Sequence, residues 1–362
     1  MGDPATLDGP PATMIARSQS NQPKGTRTTM KVLIADKFEK VGIEGLKALG
    51  CEVISIPDAG VEGIPTALAA HSPQVLVVRS TKVPAASVKA AAAAGVKLII
   101  RAGAGVDNID VGASTGVGIK VANCPGMNAI AVAELTFALL LAADRRLVEQ
   151  TLDARNGQWN KKEYGKTGPT GARGLKGMTL AVVGAGAIGR AVVKRAVAFE
   201  MIPVIWSRSI TKDHAKDLGA QWGGNDTPAL LDLAAKADAV SIHLPLAPDT
   251  KGLIGKAFLD RMKPNAILIN TSRGGLIDEA ALREAIAAKG IRAGLDVWEN
   301  QPSAPTTEPG GWTNETARLP GVIATHHTGA STDQAQDAIA REVVRMVEVY
   351  KATGRFENAV NP

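Results

Sequence analysis

Residues 179–208 decide the fold that we expect for this chain. They begin with the apolar run Thr179-Leu180-Ala181-Val182-Val183, and the turn Gly184-Ala185-Gly186-Ala187-Ile188-Gly189 follows directly. A helical run continues to Phe199, and a second apolar run, Ile202–Trp206, leads to Ser207-Arg208. The order of these segments predicts a strand, a glycine-rich turn, a helix and a second strand, as at the start of an open parallel sheet.

The glycines of this turn have the spacing GxGxxG, which is typical of a dinucleotide site. The first glycine allows the backbone to reverse, the second lets a phosphate come close, and the third lets the helix pack tightly on the strand. The helix also begins with free N–H groups that point at the turn and attract an anion. A purely structural turn is the alternative interpretation. The predicted cofactor contacts are Gly184, Gly186, Ala187, Ile188 and Gly189.

The composition indicates a globular protein that binds small anions. The chain has 362 residues, of which 45% are hydrophobic and 21% charged, enough for two domains with buried cores. Its longest apolar run, at 129–143, is interrupted by Glu134 and is shorter than the roughly 20 residues that span a bilayer, so we expect no membrane partner. Aromatic residues make up only 3% and the basic residues are scattered, which argues against nucleic-acid binding. The net charge of +6 fits a cleft for an anionic substrate and cofactor.

Cysteine usage and the N-terminal segment add two expectations. Cys51 and Cys124 have neither the number of a disulfide framework nor a metal-type spacing, so we expect buried thiols, no metal and a cytoplasmic location. Residues 1–29 are rich in Pro, Ser, Thr and Gly and poor in large apolar side chains, which predicts a disordered tail. This segment lacks the apolar core of a secretory signal, and Met30 is an alternative start.

From Lys31 onward, short apolar runs alternate with helical segments. Such alternation implies parallel sheets with right-handed crossovers. The apolar segment 129–146 suits a long helix buried between two domains. The predicted fold class is therefore α/β with two doubly wound parallel-sheet domains, one of them the nucleotide-binding Rossmann domain and the other a flavodoxin-like substrate domain.

Residues that follow the strands of the first half are candidates for ligand binding. Ligands of parallel sheets lie beyond the carboxyl ends of the strands. The strand at 74–78 ends in Arg79-Ser80, and the strand at 97–100 is followed by the glycine-rich segment that contains Gly103 and Asn108. We therefore expect Arg79, Ser80, Gly103 and Asn108 to bind the substrate.

Four further stretches identify a family. They are Val78–Val83, Arg101–Asp110, Leu268–Glu279 and Ala324–Thr332. Together with the GxGxxG turn, they resemble the D-isomer-specific 2-hydroxyacid dehydrogenase family, over nearly all of the chain from Lys31 to about Tyr350. The resemblance implies a substrate domain made of residues 30–127 and 328–362 and a dinucleotide-binding domain at 128–327. The chain ends soon after its last helix, so we expect the regulatory domain of some family members to be absent.

The chemistry that the resemblance implies requires three groups. Removal of a hydride from an alcohol carbon needs a base for the hydroxyl proton, a cation for the carboxylate and a nearby nicotinamide. Arg273 lies in a glycine-rich turn at a strand end, where its planar guanidinium suits a carboxylate; a surface salt bridge is the alternative. By resemblance, His327 is the acid/base, and its unperturbed pKa near 6.5 suits that role. His326 replaces the usual proline and is expected to be structural.

Gln301 departs from the family pattern. In the segment Gly294–Pro302 the family has a glutamate immediately before the proline, and this glutamate pairs with the catalytic histidine and raises its pKa. Glutamine can still orient the ring by a hydrogen bond, but it provides no negative charge for imidazolium. We therefore expect a lowered pKa for His327 and carbonyl reduction that favours more acidic pH. Glu299 is an alternative source of the missing charge.

The end of the second strand of the nucleotide domain bears on the cofactor. NAD-binding members have an aspartate there, which holds the ribose hydroxyls and repels a 2′-phosphate. Here Ser207 stands in its place and Arg208 follows, which favours NADP(H) over NAD(H). By resemblance, Asp296 holds the carboxamide of the nicotinamide. The remaining implied cofactor contacts are His243, Pro245, Thr271 and Gly329.

Several substrates and one different class of protein fit these residues. The leading substrate is 3-phosphoglycerate, with the phosphate near Arg79 and Asn108. The alternative is an NADPH-dependent reductase of hydroxypyruvate or glyoxylate, which the Ser207-Arg208 pattern favours. A corepressor that only senses the dinucleotide is the third possibility, and the pair of Arg273 and His327 argues against it. This fold usually pairs through the long helix of the nucleotide domain, so we expect a homodimer.

Overall fold

The computed structural model describes residues 29–165, 171–302 and 306–362. The predicted disordered tail at 1–29 lies outside these residues except for Thr29, and so does part of the connection expected at 161–177. The described chain contains one five-stranded and one seven-stranded sheet, and every pair of neighbouring strands is parallel. The predicted α/β class with two parallel sheets is confirmed.

The first sheet has the strand order β2-β1-β3-β4-β5, which is the flavodoxin-like order. Its strands are short and its central strands are buried on both faces, as expected when helices cover a parallel sheet. The strands are β1 Lys31–Ile34, β2 Glu52–Ser55, β3 Val75–Val78, β4 Leu98–Arg101 and β5 Lys120–Asn123.

The second sheet has the order β12-β11-β10-β9-β6-β7-β8. Strand β6 lies between β9 and β7, so the order reverses at β6 and the glycine-rich turn follows the strand at this switch point. The strands are β6 Thr179–Val183, β7 Ile202–Trp206, β8 Gln221–Trp222, β9 Ala239–Ile242, β10 Ile267–Asn270, β11 Arg292–Leu295 and β12 Val322–Ala324.

Helices connect and cover the strands. The first half contains α1 Lys40–Ala48, α2 Gly60–His71, α3 Ala85–Ala93, α4 Val111–Gly116, α5 Ala129–Arg145 and α6 Leu147–Arg155. The second half contains α7 Ala187–Ala198, α8 Lys212–Asp217, α9 Thr227–Lys236, α10 Lys256–Leu259, α11 Glu279–Lys289 and α12 Asp333–Thr353, with 3-10 helices at Gly274–Leu276 and Thr316–Arg318.

Two long helices set the arrangement of the sheets. The apolar face of α12, including Ile339 and Val343, packs into the core of the first sheet beside Val32, so the C-terminal segment returns to the first half of the chain. Helix α5 packs beside α7, with Phe137 in the same buried cluster as Val192. The domain boundaries at 127/128 and 327/328 stay a prediction.

Gly189 provides a test of how the glycine-rich turn is packed. A Cβ atom there would lie 2.0 Å from the carbonyl oxygen of Gly184, whereas a Cβ on Gly186 would meet nothing within 4 Å. We expect Gly189→Ala to lower the free energy of unfolding by about 1–3 kcal/mol, as for an overpacked core, and to lower the Tm by several degrees. Gly186→Ala is the matched control and should leave the Tm nearly unchanged. Equal melting temperatures of the two variants would contradict this account.

Candidate active site

The carboxyl ends of the two sheets face each other, and an ion pair joins them. Arg273 follows β10 of the second sheet, and Asp107 lies in the segment after β4 of the first sheet. The guanidinium donates to Asp107 Oδ2 from Nε at 2.9 Å and from Nη2 at 2.6 Å. Sequence reasoning placed Arg273 correctly at a strand end but missed Asp107, because an aspartate in a glycine-rich loop gives no signal of the side chain that it meets.

The turn that carries Arg273 is held by neighbouring backbone. Asn270 Nδ2 donates to the carbonyl of Arg273 at 2.9 Å, and Asn270 Oδ1 accepts from the N–H of Ser272 at 3.0 Å. A Cβ atom on Gly274 would lie 2.1 Å from the carbonyl carbon of Trp298. The turn after β10 therefore touches the turn after β11, and the close approach links the position of Arg273 to that of Gln301.

His327 lies in a strained loop after β12. Its φ of 55° is in the left-handed region, which a non-glycine residue adopts only when its surroundings hold it there. The N–H of His327 donates to the carbonyl of Asp296 at 2.8 Å. The Asp296 carboxylate, buried at 1% exposure, accepts from the N–H groups of Thr328 and Gly329, both at 2.9 Å. Asp296 thus positions the loop of the expected acid/base.

These contacts give Asp296 a structural role beside the one that the sequence suggested, which stays a prediction. The residue was expected to hold the carboxamide of the nicotinamide. In the structure, however, its oxygens accept from the loop itself, including Thr325 Oγ1 at 2.7 Å. Gly329 contributes its N–H to the same carboxylate. The contact between these two residues therefore holds the backbone of the loop that contains His327.

Gln301 contacts His327 directly, as the sequence suggested. Gln301 Nε2 lies 2.8 Å from His327 Nδ1, and the N–H of Trp298 donates to Gln301 Oε1 at 3.3 Å. The second contact decides which end of the amide faces the ring. Because an amide nitrogen is only a donor, Nδ1 must accept, and the neutral imidazole then carries its proton on Nε2. A charged imidazolium would place two donors against each other.

The electrostatic surroundings also favour the neutral ring. Burial among protein atoms lowers the pKa of His327, although part of the side chain stays exposed to solvent. The negative charge of Asp296 raises this pKa, and the positive charges of Arg273 and Arg101 lower it. The pKa of His327 is lowered mainly by burial, and the contribution expected from Gln301 stays a prediction.

A second carboxylate organises the substrate side. Asp36, directly after β1, accepts from the N–H of Arg79 at 2.6 Å and from Ser80 Oγ at 2.9 Å, and more weakly from the N–H of Ser80 at 3.3 Å. Asn108 Nδ2 donates to the carbonyl of Thr81 at 2.8 Å. Ser80 and Asn108 are therefore held by contacts within the protein, and their expected contact with the substrate stays a prediction. In the sequence, only its place at a strand end marks Asp36.

Gly103 shows where Arg101 lies. Its φ is 151°, and a Cβ atom there would lie 1.5 Å from Arg101 Nη1. The buried Nε of Arg101 has no hydrogen-bond partner among the described residues. Burial lowers the pKa of Arg101, and the charges of Arg273 and Arg79 lower it further. Arg101 is a third cation at this edge, and sequence reasoning missed it because the motif that contains it does not show where its side chain lies.

Among the residues expected to contact the cofactor, His243 lies against the glycine-rich turn. The φ of Gly184 is 106°, and a Cβ there would approach the carbonyl oxygen of His243 to 2.4 Å. His243 Nε2 lies 2.7 Å from Ser241 Oγ, and burial lowers the pKa of His243 to about 3, so this ring stays neutral and is no acid/base. Further along, Pro245 accepts from the hydroxyl of Thr250, and Thr271 Oγ1 lies 3.1 Å from Thr136 Oγ1.

The turn has the features that a dinucleotide requires. Helix α7 begins with Ala187-Ile188 after the N-cap Gly186, and no side chain caps it, so its first N–H groups can bind an anion. The open space at Gly186 leaves room for a phosphate. Ser207 is buried beside Ser209, and Arg208 forms an ion pair with Asp249. Within the described ranges, no group of His, Cys, Asp and Glu could hold a metal ion.

These features define an α/β protein whose glycine-rich turn suits a dinucleotide and lies in the same protein as a group of arginines at the facing sheet edges. A family model described as "D-isomer specific 2-hydroxyacid dehydrogenase, NAD binding domain" matches residues 137–329. The chain belongs to the D-isomer specific 2-hydroxyacid dehydrogenase family. The predicted family is confirmed.

Three relatives illustrate the similarity. The D-3-phosphoglycerate dehydrogenase of Methanocaldococcus jannaschii is 40% identical over 73% of the chain and 47% of its own length, so the chain spans about half of that relative. The hydroxypyruvate reductase of Thermotoga maritima is 40% identical over 71% of the chain and 78% of its own length. The structure of a glyoxylate reductase from Paecilomyes thermophila has a TM-score of 0.76 and 27% identity, over 92% of this chain and 98% of that one.

Other features of the chain complete this description. Cys51 and Cys124 are both buried and free, and burial raises the pKa of Cys124 to about 12, so the prediction of buried thiols is confirmed. In the part of the chain that the structure describes, no helix is long and apolar enough to cross a membrane.

The contact of His327 with Gln301 leads to a prediction about its pKa. In an NMR titration we expect His327 to titrate below the unperturbed value of about 6.5, because burial and the amide donor disfavour imidazolium. Gln301→Glu should raise the midpoint by about one unit, since a carboxylate stabilises the charged ring. Glu299→Gln is the matched control and should leave the midpoint unchanged. If the glutamate at 301 does not raise it, Gln301 has no part in setting this pKa.

Proposed function

We propose that the chain is an NAD(P)-dependent dehydrogenase of D-2-hydroxyacids, with D-3-phosphoglycerate as the leading substrate. The observation that carries the proposal is the group of arginines at the facing sheet edges, Arg79, Arg101 and Arg273. The charges of Arg79 and Arg273 both lower the pKa of Arg101, so the three guanidiniums are close enough to repel one another. A substrate with a carboxylate and a phosphate relieves this repulsion.

The residues of the site divide the chemistry among them. Arg273 grips the substrate carboxylate in place of Asp107, assisted by backbone N–H groups of residues 102–105. When bound, the nicotinamide cofactor supplies hydride exchange with the substrate carbon. His327 Nε2 faces the substrate oxygen, and imidazolium gives its Nε2 proton to this oxygen during carbonyl reduction. During alcohol oxidation Nε2 takes the hydroxyl proton when the neutral ring carries its proton on Nδ1, with the Gln301 amide turned so that Oε1 accepts from Nδ1–H. Gln301 and Asp296 keep this ring in its orientation.

Reduction depends on the protonated ring, and this sets the sign of its pH dependence. The lowered pKa of His327 means that imidazolium is present mainly at acidic pH. The kcat/KM for oxoacid reduction should therefore rise as the pH falls toward this pKa. Oxidation, which needs the neutral ring, is favoured at neutral and higher pH.

The alternative is an NADPH-dependent reductase of hydroxypyruvate or glyoxylate. The observation that favours it is the end of β7, where Ser207 and Arg208 replace the expected acid. The chain is equally identical to the phosphoglycerate dehydrogenase and to the hydroxypyruvate reductase, so both activities are candidates.

A panel of substrates and cofactors tests the proposal. The purified protein is given 3-phosphohydroxypyruvate, hydroxypyruvate or glyoxylate with NADH or NADPH, and oxidation of the reduced cofactor is followed by absorbance. We expect the highest kcat/KM with the phosphorylated oxoacid. A higher value with hydroxypyruvate or glyoxylate would select the alternative, and no turnover with any oxoacid would refute the dehydrogenase itself.

Replacement of Arg101 tests the arginine cluster. We expect Arg101→Gln to lower kcat/KM for 3-phosphohydroxypyruvate by roughly 10- to 100-fold, the loss of a charged hydrogen bond. The value for glyoxylate should fall much less, because glyoxylate has no phosphate. The control is Arg283→Gln on α11, which removes the ion-pair partner of Glu315. Equal losses for both substrates, or a lowered Tm that explains them, would show that Arg101 has only a structural role.

We propose further that a second copy of the chain covers an exposed apolar surface near α6. Helix α6 has no buried residue, and a helix of nine residues is not stable without packing. Family resemblance favours pairing in this region. The exposed apolar side chains here are Met127, Ile130, Leu147, Val148, Leu152 and Trp159.

Light scattering during size exclusion tests this assembly. We expect a dimer, and we expect Leu152→Glu to shift it toward a monomer because a buried charge at an interface is unfavourable. Val117→Glu places the same charge at another exposed apolar residue and should leave the dimer intact. A monomeric unmodified protein would refute the dimer.

A further inference from the structure

An acidic side chain reaches the end of β7 from a different loop. Ser207 and Arg208 follow this strand, and the guanidinium of Arg208 forms an ion pair with Asp249. Both side chains are about half exposed, at 49% and 58%. Asp249 belongs to the segment between β9 and α10, so the carboxylate missing from the β7 terminus is replaced by one from outside the strand-turn-helix-strand unit.

The segment that carries Asp249 lies against the glycine-rich turn. A Cβ atom on Gly184 would approach the carbonyl oxygen of His243 to 2.4 Å and Leu244 Cδ2 to 3.1 Å. On the other side, the N–H of Gly184 donates to the carbonyl of Trp206 at 2.9 Å. The turn, the end of β7 and the segment after β9 therefore border one place, where the adenosine end of a dinucleotide is expected.

The backbone at Asp249 is fixed by its neighbour. Thr250 is 1% exposed, and its hydroxyl donates to the carbonyl of Pro245 at 2.7 Å and accepts from the N–H of Ala247 at 2.8 Å. The N–H of Lys251 donates to the carbonyl of Ala247 at 2.9 Å. Asp249 is thus presented by a closed turn, and its carboxylate stays within reach of Arg208.

At the end of β7, the side chain of Ser207 is buried and that of Arg208 is exposed, so Arg208 is the one of the two that can contact a ligand. The Ser207 side chain is 2% exposed, and its oxygen lies 3.1 Å from Ser209 Oγ and 3.2 Å from the N–H of Ser209. The hydroxyl is therefore used within its own turn. A phosphate arriving here meets the guanidinium of Arg208 and the carboxylate of Asp249 together.

We propose that Asp249 sets the cofactor preference by competing with the 2′-phosphate of NADP(H) for Arg208. This inference rests on the nicotinamide cofactor proposed above. The 2′-phosphate binds the guanidinium only when Arg208 leaves Asp249, and the nearby carboxylate repels it. The ribose hydroxyls of NAD(H) carry no such charge. Asp249 thereby moderates the preference for NADP(H) that Ser207-Arg208 alone would give.

Nucleotide fragments test this competition without turnover. Calorimetry measures the binding of 2′,5′-ADP, which carries the 2′-phosphate, and of 5′-AMP, which does not. We expect Asp249→Asn to tighten 2′,5′-ADP by about fivefold, the upper range of an exposed ion pair, and to change 5′-AMP by less than about twofold. The ratio of kcat/KM for NADPH to that for NADH should rise equally. Asp260→Asn, which removes an exposed partner of Lys256, is the matched control and should change neither.

A second background shows whether Asp249 acts through Arg208. In Arg208→Gln, which has no guanidinium to compete for, the added Asp249→Asn change should tighten 2′,5′-ADP by much less than in the unmodified protein. An unchanged ratio in Asp249→Asn, or the full effect in the Arg208→Gln background, would overturn this inference while 5′-AMP still binds. Failure of the unmodified protein to bind either nucleotide would overturn the proposed function as well.

Discussion

The ion pair between Arg273 and Asp107 spans the two sheets and positions the guanidinium where their edges meet. The carboxyl ends of parallel strands all lie on the same side of a sheet, so the turns and polar side chains that follow the strands are gathered there. The pair brings those two edges together, with Nη2 of Arg273 2.6 Å from Asp107. The close approach of Gly274 to Trp298 then fixes the turn of Arg273 against the turn that contains Gln301. Arg273, Gln301 and the proposed acid/base His327 are thus parts of one connected arrangement.

The residues that orient His327 do not place a negative charge in contact with its ring. Asp296 fixes the backbone of the loop, and Gln301 fixes the ring, but the group in contact with Nδ1 is neutral. A carboxylate at that position would do both tasks and would stabilise imidazolium. The negative charge of Asp296 raises the pKa, yet burial has the larger effect. The ring is therefore held in one orientation while burial disfavours its charged form.

The sequence predicted backbone features better than side-chain pairings. The glycine-rich turn, the parallel strands and α12 follow from hydrophobic period and from glycine spacing, which are local properties. Helix α2 escaped notice, because Pro65 lies inside it and breaks the pattern of a helix former. Asp36, Asp107 and Asp249 also escaped notice, because each acts on a residue more than 40 positions away. Only the tertiary fold shows which partner such a carboxylate meets.

The paired arginines suggest how selectivity arises. Arg79 lies 3.2 Å from Glu39, Arg273 binds Asp107, and Arg208 binds Asp249. Whereas Nε of Arg101 has no hydrogen-bond partner among the described residues, three of the guanidiniums expected to meet an anionic ligand thus already have an internal carboxylate partner. A ligand anion must replace that partner, so its affinity reflects the difference between two ion pairs rather than the strength of one. Since these pairs are partly exposed, each exchange costs little. A ligand with several anionic groups adds up the small gains in binding free energy from several guanidiniums. An anion that reaches only one guanidinium obtains a single small gain over the carboxylate that it displaces.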